Sequence, residues 1–306
     1  MTILQAKAAP ERSFLVGALY VLAAGLSWSF TGIFLRLAPH LDSWQFLVWR
    51  SLGVACAFAI ILRTRGAGSL LPRLIATGRP GAVVTAALCL ASIAFIIAMK
   101  TTTVANALFL SSCAPLLAAL LGYVVLGERL SLRQGASVAL GLGGLGVIVG
   151  GALEAGNLAG NISAVLTALG FASASVAMRY GRRRDYSPAV FAYGLMACAL
   201  SASVCAARGV TLMPPPLETL AAFAAGFLVM GLGFMFFLRG APHVQAAGQT
   251  VLAQTETIFG PVWVWLAFGE TPAAATLIGG AIILGAVVSM AGASPAPPSA
   301  AIGDAR

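Results

Sequence analysis

Of the 306 residues, 59% are hydrophobic and only 9% charged, with a formal net charge of +9, against about 25% charged in an ordinary soluble domain. That balance excludes a soluble fold, which needs polar surface over its core. The charges fall between apolar blocks and not on one patch, which excludes a nucleic-acid-binding face. The cysteines Cys56, Cys89, Cys113, Cys198 and Cys205 sit inside apolar stretches with no CxxC pair, so they read as small buried hydrophobes; no disulfide framework, metal or cofactor is expected.

A helix needs about 20 apolar residues to cross a bilayer, and lipid leaves no backbone group unpaired, so each long apolar block is expected to be a transmembrane helix. A short segment, 1–13, carries Lys7 and Arg12 and leads into the first span, 14–37, which is too long for a signal-peptide core and has no convincing cleavage site after it. The spans 44–62, 80–99, 103–126 and 133–150 follow, then 160–180, 188–207, 219–238, 244–268 and 273–292. Clusters of Gly, Pro, Ser and charge separate them. The tail 293–306 is rich in Ala, Pro and Ser and reads as disordered.

With the N-terminus inside, fourteen Lys and Arg residues fall on the cytoplasmic side, Arg63, Arg73, Arg129 and the tract Arg182–Arg184 among them; Arg36, Lys100 and Arg208 fall outside. This positive-inside bias puts both termini in the cytoplasm and requires an even number of spans.

An internal repeat runs through these spans. Gly127-Glu128, after the fourth, matches Gly269-Glu270, after the ninth, at an offset of 142, each followed by a Gly/Ala-rich helix. Gly17 and Arg36 in the first span match Gly160 and Arg179 in the sixth. Five helices per half, 14–150 and 151–292, is an odd number, so the second copy enters from the opposite face. The expected fold is therefore an all-α membrane protein of ten transmembrane helices in a five-plus-five inverted repeat, a plan that places a substrate site near the midplane and allows alternating access.

The ten-helix plan, FLVWRSLGVACAFAIIL in the second span, and the paired LGERLS and FGETP segments resemble EamA-type members of the drug/metabolite transporter superfamily, over residues 14–292. The resemblance implies a helical basket around a central cavity, lined by the first four helices of each half with the fifth and tenth peripheral. It also implies a multi-pass protein of a bacterial inner membrane that exports small neutral metabolites, aromatic amino acids included. The ninth span of such proteins often shows Glu-Pro where this chain has Glu256-Thr257, while the fourth keeps Ala114-Pro115. A kink is therefore expected in the fourth span and is in doubt in the ninth.

Glu256 is the only carboxylate deep in a span. An acid at mid-bilayer costs a few kcal/mol on insertion scales, so it is expected to face a cavity or a partner. Gln245, Gln249, Glu256 and Trp263 share one helical face if the ninth span is continuous, either as a polar and aromatic binding stripe or as a packing seam. Arg50, the only basic residue well inside a span, either grips a carboxylate or is structural. Asn106, Phe109 and Ser111 in the fourth span are placed to complete the cavity. Trp28 and its repeat partner Phe171, with Phe95, Tyr193 and Phe234, supply an aromatic lining; core packing is the alternative for each. The glycines of the fifth and tenth spans permit close approach, within one chain or across a dimer.

The leading reading is a carrier of amino acids or similar metabolites, embedded in lipid and monomeric, with a dimer left open. A nucleoside, sugar or cationic drug as cargo stays open beside it, as do a channel and a membrane enzyme. The only histidines, His40 and His243, lie in loops on opposite sides and supply no reactive set. Single-cysteine labelling in a cysteine-free background checks the topology: Arg73→Cys and Arg182→Cys react from one face of the membrane and Lys100→Cys from the other.

Overall fold

The computed structural model describes residues 3–65, 70–127, 132–154, 158–181, 184–243 and 252–291. Every regular element among them is helical. Seven segments have the length and hydropathy to cross a bilayer: Leu15–Arg36, Ser43–Thr64, Gly78–Thr101, Val104–Leu126, Leu158–Tyr180, Ser187–Ala207 and Pro216–His243. Three further helices stand where the fifth, ninth and tenth spans are expected, namely Leu132–Glu154, Thr255–Phe268 and Ala274–Ala291. The outward faces carry large apolar side chains such as Leu19, Val124, Leu200 and Val288, all exposed, which is what a lipid-facing surface requires.

In chain order the elements are α1 (Ile3–Ser29), α2 (Thr31–Arg36), α3 (Ser43–Thr64), α4 (Leu70–Ala76), α5 (Gly78–Thr101), α6 (Val104–Ser111), α7 (Ala114–Leu126), α8 (Leu132–Glu154), α9 (Leu158–Tyr180), α10 (Ser187–Ala207), α11 (Pro216–Ala224), α12 (Gly231–Gly240), α13 (Thr255–Phe268) and α14 (Ala274–Ala291). The first helix begins at Ile3, so residues expected to lead into the membrane already belong to it. A short helix, α4, occupies what reads in sequence as a plain loop. The tail 293–306 lies outside the described residues.

The helices pair in a two-fold pattern. The third span, α5, packs along the sixth, α9, just as α12 of the eighth packs along α1 of the first. The second and seventh spans, α3 and α10, pack on each other, and so do the fifth and tenth, α8 and α14. Each contact thus maps onto itself or onto another contact when the halves are exchanged.

Four spans are interrupted. The first breaks at Phe30, the fourth at Ser112 and Cys113, and the ninth at Gln254; the eighth contains a wide π turn, Ala225–Met230, between α11 and α12. At Ser112, Cys113 and Gln254 ψ is −6°, −4° and −4°, against about −42° in a regular α-helix. A hydroxyl stands at each of the three breaks and binds a carbonyl one turn back: Ser29 to Leu26, Ser112 to Phe109 and Thr255 to Leu252, each at 2.6 Å. Those bonds satisfy backbone groups that the interruption frees, as the membrane demands.

The ninth span is therefore broken in the same place as the fourth, 142 residues on, although Thr257 stands where Pro115 stands. The proline is dispensable because a hydroxyl and a relaxed ψ open the ladder without it. Both broken spans also end alike, with Gly127 and Gly269 closing α7 and α13 in the left-handed conformation (φ 66° and 69°) that only glycine adopts without strain.

One end of the bundle is held by Glu270. Its carboxylate accepts from Arg36 Nε and Nη2 at 2.9 and 2.7 Å and from the Val104 N–H, at the start of α6, at 2.7 Å. At the bundle's edge, Gly144 of α8 and Gly279 of α14 pack backbone to backbone; a Cβ on Gly279 would stand 2.6 Å from the Gly144 carbonyl oxygen. Gly285, by contrast, faces open space. Overpacking of this kind typically costs about 1–3 kcal/mol. Gly279→Leu is expected to lower the thermal unfolding midpoint of the detergent-solubilised protein, and Gly285→Leu to leave it in place.

Candidate functional site

The interrupted spans converge on a central cavity, with about 830 Å³ of empty space when the solvent at its open mouth is included. The break in α6–α7 contributes Ser111, Ala114 and Pro115, and the break before α13 contributes Ala253, Gln254, Glu256 and Thr257. The two breaks touch: Gln254 Nε2 donates to the Ser112 carbonyl at 3.3 Å, joining two residues at equivalent places in the two halves. Thr257 Oγ1 donates to Gln254 Oε1 at 2.8 Å and fixes the amide that makes this bridge.

Aromatic rings form one wall. Trp28 meets Phe171 and Phe234 edge to face, with centroids 6.1 and 5.2 Å apart, and Phe234 meets Tyr193 at 5.7 Å. Phe95 lines the same space. Trp28 and Phe171 are repeat partners in sequence and direct neighbours in space. Such pairs contribute about 0.5–1.5 kcal/mol beyond area burial and hold the rings in fixed orientation.

The polar groups are few. Arg50, 1% exposed, reaches the cavity from α3 and donates to Ser92 Oγ of α5 at 2.6 Å. Glu256 lies within electrostatic reach of it, and no ion pair joins them among the described residues. Cation and acid thus share one largely apolar chamber without neutralising each other directly.

Of the residues expected to form a substrate site, Trp28, Phe95, Ser111, Phe171, Tyr193, Phe234, Glu256 and Arg50 line this cavity. Three lie elsewhere. Asn106 is buried between helices: its Nδ2 donates to Asn161 Oδ1 at 2.6 Å and to Thr102 Oγ1 at 3.0 Å, and its Oδ1 accepts from Thr276 Oγ1 at 3.4 Å. Phe109 packs instead against Gly280 of α14. Trp263 shares a face with Glu256 but sits seven residues along, about 10.5 Å further up the helix axis, where the first span closes over it; its ring stacks between Phe30 and Phe259, and Nε1 donates to Ser29 Oγ at 3.0 Å. Gln245 and Gln249 lie outside the described residues. The stripe Gln245–Gln249–Glu256–Trp263 rests on an unbroken helix, and the turn at Gln254 interrupts that register.

Sequence reasoning missed Ser92, Thr167, Gln254 and Met230, all cavity residues. Gln254 was within reach, since the repeat offset of 142 carries Ser112 onto it. Ser92 and Thr167 had no such signal.

An all-helical membrane bundle with a central polar and aromatic chamber between two broken helices has the build of a membrane transporter. The EamA-like transporter family matches residues 15–150 and, a second time, residues 158–292, and the chain belongs to that family. A solved structure described as a crystal structure of a protein is similar over 90% of this chain and 97% of its own, with a TM-score of 0.67 and 21% identity, which shows a shared fold. Comparison with curated proteins gives no match.

Asn106 offers a clean separation of packing from binding. Asn106→Leu strands Asn161 and Thr276 in the interior, a loss of about 1 kcal/mol or more. The unfolding midpoint is expected to fall while the order of preference among cargo molecules stays the same in a competition assay.

Proposed function

We propose that this transporter exports small neutral amino acids and related metabolites, aromatic ones included, by alternating access between halves 14–150 and 151–292, from a bacterial inner membrane with both termini cytoplasmic. This reading groups it functionally with exporters of the YddG type. The observation that carries it is the presence of Arg50 and Glu256 together in the lining of one aromatic-walled cavity. A zwitterion presents an ammonium and a carboxylate a few ångströms apart and matches both, and the ring wall of Trp28, Phe171 and Phe234 suits an apolar or aromatic side chain.

The same pair disfavours the competing cargoes. A cationic drug would meet the buried guanidinium, and a sugar or nucleoside would leave both charges without an opposite partner in a largely apolar chamber. A channel would need neither. Modest affinity suits a carrier, because a ligand held strongly in one state stalls the cycle.

Glu256 is the natural candidate for coupling to protons, being the sole acid among the described residues that line the chamber. Labelled neutral amino acids are expected to show saturable counterflow in proteoliposomes and to be driven by an imposed pH gradient, with the gradient's effect absent in Glu256→Gln. Conductance that does not saturate, or counterflow of amines but not of amino acids, would defeat this reading.

A further inference from the structure

Arg50 and Tyr193 present an unmet demand for an acceptor. Arginine carries five N–H donors, and among the described residues the Arg50 guanidinium makes one hydrogen bond, to Ser92. Its Nε is buried and has no partner. The Tyr193 hydroxyl, on a side chain likewise 1% exposed, is also buried without a partner. Both side chains line the central cavity and lie within each other's electrostatic reach.

A buried guanidinium held only by a serine is poorly compensated, and a donor left without an acceptor in the interior is costly. A structural arginine in a membrane protein closes its fork on carbonyls or a carboxylate; among the described residues this one closes on neither, and it stands in the wall of a chamber. We infer that Arg50 and Tyr193, with Ser92 holding the guanidinium in place, form a carboxylate-recognition corner that makes a free carboxylate a requirement for cargo.

The corner rests on the amino acid reading and deepens it, because it assigns a direction to the cargo. The carboxylate sits between α3 and α10, the ammonium turns toward Glu256 of α13, and the side chain lies along the rings of Trp28 and Phe171. Guanidinium and phenol together offer a planar carboxylate several donors at once, the arrangement that makes arginine the usual choice for such groups. A primary amide offers a single neutral carbonyl acceptor and a simple amine offers none, so neither meets the corner's demand as a carboxylate does.

The test uses the full chain in lipid nanodiscs and four probes that share a phenyl ring: phenylalanine, phenylalanine amide, phenethylamine and 3-phenylpropionate. Phenylalanine is expected to bind at least about 10-fold more tightly than its amide, the size of a lost charge-assisted hydrogen bond. Arg50→Gln should bring phenylalanine down toward the level of the amide while changing the amide's own binding far less, and should remove binding of 3-phenylpropionate. Tyr193→Phe should weaken phenylalanine about 10-fold or more, the share of a hydrogen bond to a charged acceptor, with a smaller effect on the amide; it serves if Arg50→Gln does not fold. Equal binding of phenylalanine and its amide overturns the corner, as does an equal loss of both in the variants. Counterflow of amino acids together with either of those results leaves the transport reading standing and removes the corner alone. Arginine-dependent binding of 3-phenylpropionate without amino acid counterflow does the reverse.

Discussion

The bilayer supplies no hydrogen bonds, and the centre of this protein is organised by that shortage. A helix interrupted in lipid exposes carbonyls and amides with nothing to satisfy them, each at a cost of several kcal/mol. Here the interruptions of the fourth and ninth spans stand against each other, joined by Gln254 and the Ser112 carbonyl, with hydroxyls of Ser112 and Thr255 closing on their own preceding turns. Mutual satisfaction lets the backbone open where a helix would otherwise fill the space. The cavity exists because the two breaks shield one another.

The same economy explains why charge is tolerated inside. Arg50 and Glu256 are each unfavourable in a membrane core, yet they occupy a chamber walled by rings and shared with Ser92, Gln254 and Thr257. A fixed set of dipoles and one opposite charge replace the water these groups have lost. On the amino acid reading, what that replacement leaves incomplete is what a zwitterionic cargo supplies.

Much of the fold was legible because lipid imposes simple rules. Span length, loop charge and the Gly-Glu repeat at an offset of 142 led to the helices and their halves, and the polar residues Arg50 and Glu256 stood out against apolar surroundings. What was not legible depended on where helices stop. A period of seven put Trp263 beside Glu256, correctly in angle, but angle says nothing about the height at which a neighbouring span closes the space. The continuous stripe through Gln245 and Gln249 presumed an unbroken ninth span, and the missing proline concealed a break that hydroxyl chemistry produces equally well. Asn106 looked like a binding group because a polar residue on a membrane helix needs a partner; which partner, cargo or Asn161, is decided by tertiary packing alone.

The seat of Arg50 has one further consequence. Gly53 of the same helix lies against the backbone at Phe223 and Phe227, and Gly226, inside the π turn, lies directly on the Arg50 carbonyl. No side chain stands between these two helices at that level. Side chains can change rotamer and absorb a displacement, whereas bare main chain in contact with main chain transmits it undiminished. A tilt of the eighth span would therefore bear first on the main chain of α3 at Arg50, in the wall of the cavity.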